Sequence, residues 1–455
     1  MLNHFSLSFF GCSCVSIQTN KTRIICDPWF DTAAYEGTWV PDMDVSNWVN
    51  KIGNCDAIYV SHIHPDHYDA KSIFNYFKKY GEKKIFISSF KNLKGVDRNW
   101  LKKKMIADGI KPKLIISNLK GFHNLKDLNL IVIPRDTKSF SDIDSGIIVY
   151  HNQLKVSVTN LNDFGFNKTH FKNFQKKINE NKLQNIATLY NYMSSGSWPH
   201  THYKCDIGNK ELNKSLEVQR EEFRSRYFEA HNTINSKVHL PFAAGAKYLG
   251  PLKAYEKFRP KIKVKSILDK DKFAIYLKPF GKKIDLLKSI KDKKYFNSFR
   301  PKKINENLSK NKHIHSHYDY EKTFQNLTYN PRVLKTLFNN SKTRAMSRSE
   351  VKNPHLLCIY ALPDWKNFNN LVFKNKLDNK QKYLIGNVEF NLKNLKSKKK
   401  IHRTEIYINH KALFGAFSGI VHWNNLELGA HKIVRRYPEI YNKGIVDFLN
   451  FFSIC

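Results

Sequence analysis

A stretch of seven residues, SHIHPDH, begins at position 61 and holds most of the chemical information in the sequence. It follows Ala57–Val60, an apolar run that predicts a buried strand. Because side chains alternate along an extended strand end, His62 and His64 should project to one side, while Asp66 and His67 come around the following turn. Imidazole nitrogens and a carboxylate are donors that zinc, iron or manganese accept. The spacing therefore predicts that these four residues bind metal.

The segments around this motif predict an α/β fold with many strands. Residues 5–30 alternate in the manner of a strand hairpin, and an amphipathic helix is predicted from about Ala70 to Tyr80. Short β-rich runs separated by polar turns then follow: KKIFISS, KLIISN, LNLIVIP, GIIVY and KVSVTNL. A charged helix is predicted over residues 207–235, before the strand-like run SKVHLPF. A large sheet region must therefore position the histidine motif.

The chain length of 455 residues supports two to four domains. We expect a metal-binding domain over residues 1–251. Residues 252–350 have little periodicity and many Lys, Asn and Ser residues, which is typical of an insertion or a weakly packed connecting region. A C-terminal segment over residues 351–455 resumes apolar runs, and we expect it to pack on the core.

The net charge of +38 raises the question of nucleic-acid binding, because 77 Lys and Arg residues face 39 Asp and Glu residues. Only 14 of these cations are Arg, and the Lys residues are spread through every segment together with many Asn residues. Phosphate and base recognition favours Arg, so a diffuse Lys excess argues against nucleic acid as the main partner. An anionic small-molecule substrate is the partner we expect.

The seven Cys residues form no C-x-x-C pair and are odd in number, which favours free thiols over a disulfide framework. No apolar run approaches the ~18–20 residues that span a bilayer. The N-terminus lacks the basic region and the continuous apolar stretch of a signal peptide. We therefore expect a cytoplasmic protein without a membrane span.

The motif resembles the H-x-H-x-D-H signature of the metallo-β-lactamase superfamily, which implies an αββα sandwich, here with a C-terminal extension. The resemblance extends to Gly11–Val15, to Cys26–Phe30 with its D-P-W element, and to Leu240–Gly245. Together with Arg435–Tyr441 and the HWNNLELGAH run at His422–His431, these segments resemble CMP-N-acetylneuraminate hydroxylase-like proteins that lack a Rieske domain.

The resemblance also implies the remaining ligands of two divalent metal ions. Asp163 closes the run VSVTNLND at the position of the superfamily's bridging carboxylate, although an ordinary turn Asp is the alternative. The usual third histidine of the first metal is absent from the loop SFSDIDSG, so Asp144 or Asp142 would replace it, with a slight preference for Asp144. The final superfamily histidine is replaced within Pro241-Phe242-Ala243. Three His and three carboxylates make iron or manganese plausible beside zinc.

Two further pairs of histidines are candidates for substrate binding. His200 and His202 lie in a Gly- and Pro-containing loop, where a plain surface loop is the alternative. His422 and His431 flank Trp and Asn residues that could line a polar pocket or belong to a packed helix.

These features favour a metal-dependent hydrolase acting on an anionic sugar, sugar nucleotide or phosphoester, because paired metals activate water and bind both reacting oxygens. Asp66 would bind the second metal and steer the nucleophile. One alternative is a di-iron monooxygenase, which would need an external electron-transfer partner because the chain has no C-x-H pair of a Rieske site. The other alternative is a nucleic-acid-binding or nuclease protein.

Overall fold

The computed structural model describes residues 4–93, 95, 97–135, 143–163, 167–193, 196–304, 319–374, 376–392 and 401–453. Within these residues the strands, numbered in chain order, are β1 Phe5–Gly11, β2 Cys14–Thr19, β3 Arg23–Cys26, β4 Trp39–Pro41, β5 Ala57–Tyr59, β6 Lys84–Phe86, β7 Ile115–Ile116, β8 Phe122–Leu125, β9 Leu128–Pro134, β10 Ser145–His151, β11 Val156–Asn160, β12 Gln184–Asn191, β13 Val238–Phe242, β14 Ala246–Tyr248, β15 Ile284–Asp285, β16 His355–Leu362, β17 Tyr383–Phe390, β18 His402–Asn409 and β19 Lys432–Tyr437.

The helices of the same residues are Trp48–Ile52, Ala70–Tyr80, Trp100–Ala107, Lys168–Glu180, Lys210–Thr233, Val264–Lys270, Leu286–Ser289, Lys293–Asn297, Asp319–Thr323, Pro331–Arg348, Trp365–Asn369, His410–Phe417, Trp423–Leu428 and Lys443–Asn450. The helix predicted from Ala70 to Tyr80 has those bounds, and the side chain of Asp69 caps its first turn. Among the described helices, none has the length and the apolar character to cross a bilayer. The six described cysteines are buried and unpaired.

Two sheets face each other and enclose an apolar core. The first has the order β15-β1-β2-β3-β5-β6-β7 and the second the order β13-β12-β11-β10-β9-β8. Alternation along β5 shows how the sequence builds both faces, because Ala57 and Tyr59 belong to the core between the sheets, whereas Ile58 and Val60 belong to the core on the outer face. The histidine motif therefore starts at the end of a strand that is buried on both sides.

Helices cover the outer faces of the two sheets. Helix Ala70–Tyr80 buries Ile73 and Tyr76 in the apolar cluster of the first sheet. Helix Lys168–Glu180 buries Phe171 and Phe174 against the second sheet. The predicted αββα sandwich of a metallo-β-lactamase fold is confirmed.

The C-terminal segment forms a third sheet, with the order β17-β16-β18-β19, in which β16 and β18 are parallel. Its apolar residues belong to the same buried cluster as the outer face of the first sheet. Residues 252–350 also contribute to these layers. Strand β15 pairs with β1, and helix Pro331–Arg348 buries Leu334 and Phe338 in the shared cluster.

Candidate metal centre

The predicted metal ligands come from the ends of neighbouring strands. His62 to His67 follow β5, and Asp163 lies three residues after the end of β11. Asp144 immediately precedes β10, which runs antiparallel to β11, so the start of one strand lies beside the end of the other. Both sheets therefore bring polar side chains to the same edge of the sandwich.

The first group of donor atoms comes from His62, His64 and Asp144. Nε2 of His62 lies 2.8 Å from Nδ1 of His64 and 4.0 Å from a carboxylate oxygen of Asp144. Two imidazole nitrogens bound to one ion at about 2.1 Å would lie about 3.0–3.4 Å apart in octahedral or tetrahedral geometry. The residues therefore fit one metal ion with little movement.

The second group shares His62 and adds His67 and Asp163, with their donor atoms within 4.8 Å of one another. Nε2 of His67 lies 3.3 Å from Asp163 Oδ2 and 3.7 Å from Asp66 Oδ2. The shared His62 and the short distances place the two groups side by side. Asp142, the alternative to Asp144, lies outside the described residues.

Asp27, to which the sequence assigned no role, links these ligands through hydrogen bonds. Its buried carboxylate accepts hydrogen bonds from the backbone N–H and the hydroxyl of Ser61, from Asn162 and from Nδ1 of His67. Because the Ser61 hydroxyl donates to Asp27, its oxygen accepts from Nδ1–H of His62 at 2.9 Å. His62 and His67 thus both turn Nε2 toward the donor groups, which is the usual arrangement in metal-binding histidines. The sequence signal that could have identified Asp27 is the D-P-W element, in which it is the Asp.

Tyr35 is a second residue that the sequence reading missed. Its buried hydroxyl donates to Asp66 Oδ1 at 2.6 Å and leaves Oδ2 turned toward His67. Tyr35 and Glu36 both have left-handed backbone angles, with φ of 52° and 56°. Nε2 of His431 lies 2.8 Å from the Tyr35 carbonyl oxygen and donates to it. No local pattern predicts this turn, because its partner is about 400 residues away in the chain.

Charge is distributed unevenly over the histidines. Burial lowers the pKa of His62 well below its ordinary value, and it lowers the pKa of His64 to about 3. Burial also opposes a charge on His67, but the carboxylates of Asp66 and Asp163 outweigh it and raise the pKa of His67. Conversely, burial opposes the charge of Asp163, yet His67 lowers the pKa of Asp163 to about 2. His62 and His64 are therefore neutral donors, while a metal bound at His67 would displace a proton.

The two remaining carboxylates are held in buried surroundings, and burial raises the pKa values of both Asp66 and Asp144. Arg135 lies at the edge of the first group, with Nη1 at 3.2 Å from Asp144 Oδ2. Asp163 is the most open of the three carboxylates, because 35% of its side chain is exposed, against 16% for Asp66 and 11% for Asp144. The donor groups are thus accessible from the Asp163 side.

The four histidines predicted to bind substrate lie outside the two donor groups. His200 is buried against Tyr248, whose hydroxyl is 3.1 Å from its Nε2, and His202 is buried beside Thr201, so neither lies on a surface loop. His422 caps helix Trp423–Leu428 by accepting from a backbone N–H. His431 is joined to the centre through the Tyr35 carbonyl group. Substrate contact by these residues stays a prediction.

A comparison with protein families matches residues 6–181 to a family model described as the Beta-lactamase superfamily domain. This segment contains His62, His64, Asp66, His67, Asp144 and Asp163. The resemblance to metallo-β-lactamase proteins seen in the sequence is confirmed. The matched segment therefore holds both donor groups of the candidate metal centre.

Individual relatives are similar over short regions. A Rieske 2Fe-2S iron-sulfur protein of Mycobacterium tuberculosis is 46% identical over 59 residues, which cover 12% of this chain and 11% of that protein. The cytidine monophosphate-N-acetylneuraminic acid hydroxylase of Sus scrofa is 32% identical over 56 residues, which cover 12% of this chain and 13% of the hydroxylase. The chain thus matches about a tenth of the length of these relatives.

Solved structures match this chain over part of its length. Igni18, a metallo hydrolase of the archaeon Ignicoccus hospitalis, is 15% identical with a TM-score of 0.35, covering 62% of this chain and 97% of Igni18.

Proposed function

We propose that this protein is a hydrolase with two divalent metal ions that acts on an anionic sugar, sugar nucleotide or phosphoester. The observation that carries this proposal is the convergence of two donor groups that share His62 at the open edge of the sandwich. Metal ions held there would lower the pKa of a bound water molecule and stabilise the negative charge that develops during hydrolysis. His64 and Asp144 belong to one group and His67 and Asp163 to the other, with Asp66 beside the second.

The protein's own residues prepare the centre for this reaction. Tyr35 fixes one oxygen of Asp66, so the other oxygen keeps a single orientation toward the second group. Asp27 fixes the ring orientation of His67, and Asp66 is the catalytic residue that would steer the attacking water. These contacts favour a preorganised site rather than one assembled by substrate.

The charge balance favours an anionic substrate. Two divalent ions would carry four positive charges, which the carboxylates of Asp27, Asp66, Asp144 and Asp163 balance. Arg135 adds a further positive charge at the edge of the site. A phosphate or carboxylate group entering from the Asp163 side would neutralise this excess.

Metal analysis of the purified protein tests the proposal. The wild-type chain should bind about two metal ions, and the double variant His64→Ala/Asp66→Ala should bind none while keeping its far-ultraviolet circular dichroism. A matched control is His4→Ala/Asp285→Ala, which removes a His–Asp pair at 3.1 Å that is not part of either donor group. Unchanged metal content in the first variant would overturn the proposal. A panel of phosphodiester, lactone and sugar-nucleotide substrates then defines the reaction.

A di-iron monooxygenase is the second candidate. Its support is the oxygen-rich donor set of three His and three carboxylates, which suits iron as well as zinc, and the hydroxylase and iron-sulfur relatives. An oxygenase would require electrons from a separate protein. Anaerobic purification followed by metal analysis separates the two candidates, because two irons with reductant-dependent oxygen uptake support the monooxygenase and two zincs support the hydrolase.

A further inference from the structure

The C-terminal segment contacts a proposed metal ligand directly. Helix Trp423–Leu428 begins at its cap His422, and this start places the Asn424 amide nitrogen 2.8 Å from Nε2 of His64. The two residues are 360 positions apart in the chain. The next residue, Asn425, makes a different contact and donates to Glu36 at 3.0 Å. Asn424 is therefore the residue of this pair that reaches the donor group.

The hydrogen bonds in this region form a continuous chain. Asn424 Nδ2 donates to His64 Nε2, so His64 carries its proton on Nδ1 and donates it to His62 Nε2 at 2.8 Å. His62 in turn donates from Nδ1 to Ser61. This is the consistent arrangement for the protein alone, because a neutral imidazole has one donor and one acceptor nitrogen.

Metal binding requires the opposite form of His64. Its Nδ1 must offer a lone pair, so the proton moves to Nε2, which then needs an acceptor. Rotation of the Asn424 amide by half a turn presents its carbonyl oxygen to Nε2 without moving the backbone. An amide is suited to this position because it can serve both forms of the ring.

We infer that Asn424 is a positioning residue that sets the proton location and ring orientation of His64, and that the C-terminal segment is thereby part of the metal centre. This inference rests on the proposed function, since it takes His64 as a metal ligand. It goes further by assigning a role to a residue outside the matched superfamily domain.

Titration of the metal-free, full-length protein with Co²⁺ tests the inference, with the visible absorption of the bound ion as the readout. The binding step lost in His64→Ala identifies the ion held by His64. Asn424→Leu should weaken that step about 10- to 100-fold, the usual effect of removing a partner of a metal-bound histidine. Asn424→Asp should bind within about threefold of wild type, because a carboxylate accepts from Nε2–H but cannot donate.

The control is Asn173→Leu, the same substitution at an exposed position of helix Lys168–Glu180 and outside both donor groups, which should leave the step unchanged. If Asn424→Leu binds Co²⁺ as tightly as wild type, or if Asn424→Asp loses as much affinity as Asn424→Leu, the inference is wrong. Failure of the wild-type protein itself to bind Co²⁺ or Zn²⁺ would overturn the proposed function, and the inference with it. Asn424→Asp also keeps the test available if the leucine variant does not fold.

Discussion

Replacing Asp27 with Asn should damage both stability and metal binding. The fully buried carboxylate accepts hydrogen bonds from Ser61 N–H, Ser61 Oγ, Asn162 and His67 at 2.6–3.2 Å. Three of these donors face Oδ2 and one faces Oδ1. The amide nitrogen of Asn cannot accept, so one hydrogen bond is lost if it takes the Oδ1 position and three are lost if it takes the Oδ2 position. The remaining bonds lose their charged partner.

The expected change in the free energy of unfolding follows from these hydrogen bonds. With the amide nitrogen toward Ser61 N–H, one bond to a charged acceptor is lost, which costs about 1.5–3 kcal/mol. The other three bonds become neutral and each weakens by about 1 kcal/mol. Asp27→Asn should therefore lower the free energy of unfolding by about 4.5–6 kcal/mol, a large share of the ~5–15 kcal/mol of a typical domain. Metal affinity should fall about 10- to 100-fold, because Ser61 and His67 lose their orientation.

Urea unfolding followed by circular dichroism measures the first effect, and metal titration of the folded fraction measures the second. The matched control is Asp56→Asn, just before β5. This carboxylate, with 25% of its side chain exposed, accepts from the backbone N–H of Arg23 and pairs with the exposed Lys126, so the cost should stay near ~1 kcal/mol. A loss of less than about 1 kcal/mol in Asp27→Asn, with metal affinity unchanged, would refute the view that this carboxylate organises the centre.

Three further substitutions test separate contacts. Asp163→Asn should reduce two bound metal ions to one or none, and retention of both would show that Asp163 is an ordinary turn residue. Tyr35→Phe should weaken binding at the second group about tenfold through the lost bond to Asp66, with the fold unchanged; equal affinity would contradict this role. His231→Leu should make the protein less sensitive to acid. Burial lowers the pKa of His231 well below its ordinary value, so the unfolded chain binds the extra proton below about pH 6.5 and wild-type stability falls by up to about 1.4 kcal/mol per pH unit. Urea unfolding of wild type and His231→Leu at pH 7.5 and 5.5 measures how far each loses stability in acid. An identical loss in both proteins would contradict this role of His231.

Local patterns predicted the parts of this protein whose structure depends on neighbours in the chain. The alternation that marks the strands and the helix Ala70–Tyr80 needs only a few adjacent residues. The motif His62 to His67 was visible for the same reason, since one strand end and one turn bring its donors together. Asp144 was harder to choose, because its partners come from another sheet.

The residues that contact and orient the proposed metal ligands could not be found from local patterns. Asp27 meets Asn162 from 135 residues away, and Asn424 meets His64 from 360 residues away. No periodicity records such pairs, because they depend on how two sheets and the C-terminal segment come to lie together. The C-terminal sheet shows the same limit, since its parallel strands β16 and β18 are neighbours in space with β17 between them in the sequence.

The left-handed turn at Tyr35 indicates how the C-terminal segment and the metal centre depend on each other. A non-glycine residue in this conformation costs about 1–3 kcal/mol, and Tyr35 and Glu36 adopt it consecutively. Such a turn persists only where surrounding contacts favour it over a relaxed alternative. Here His431 donates to the Tyr35 carbonyl group and Asn425 donates to Glu36, and both belong to the C-terminal segment. Because the same turn carries the Tyr35 hydroxyl to Asp66, the geometry of the proposed second metal group depends on residues about 400 positions further along the chain.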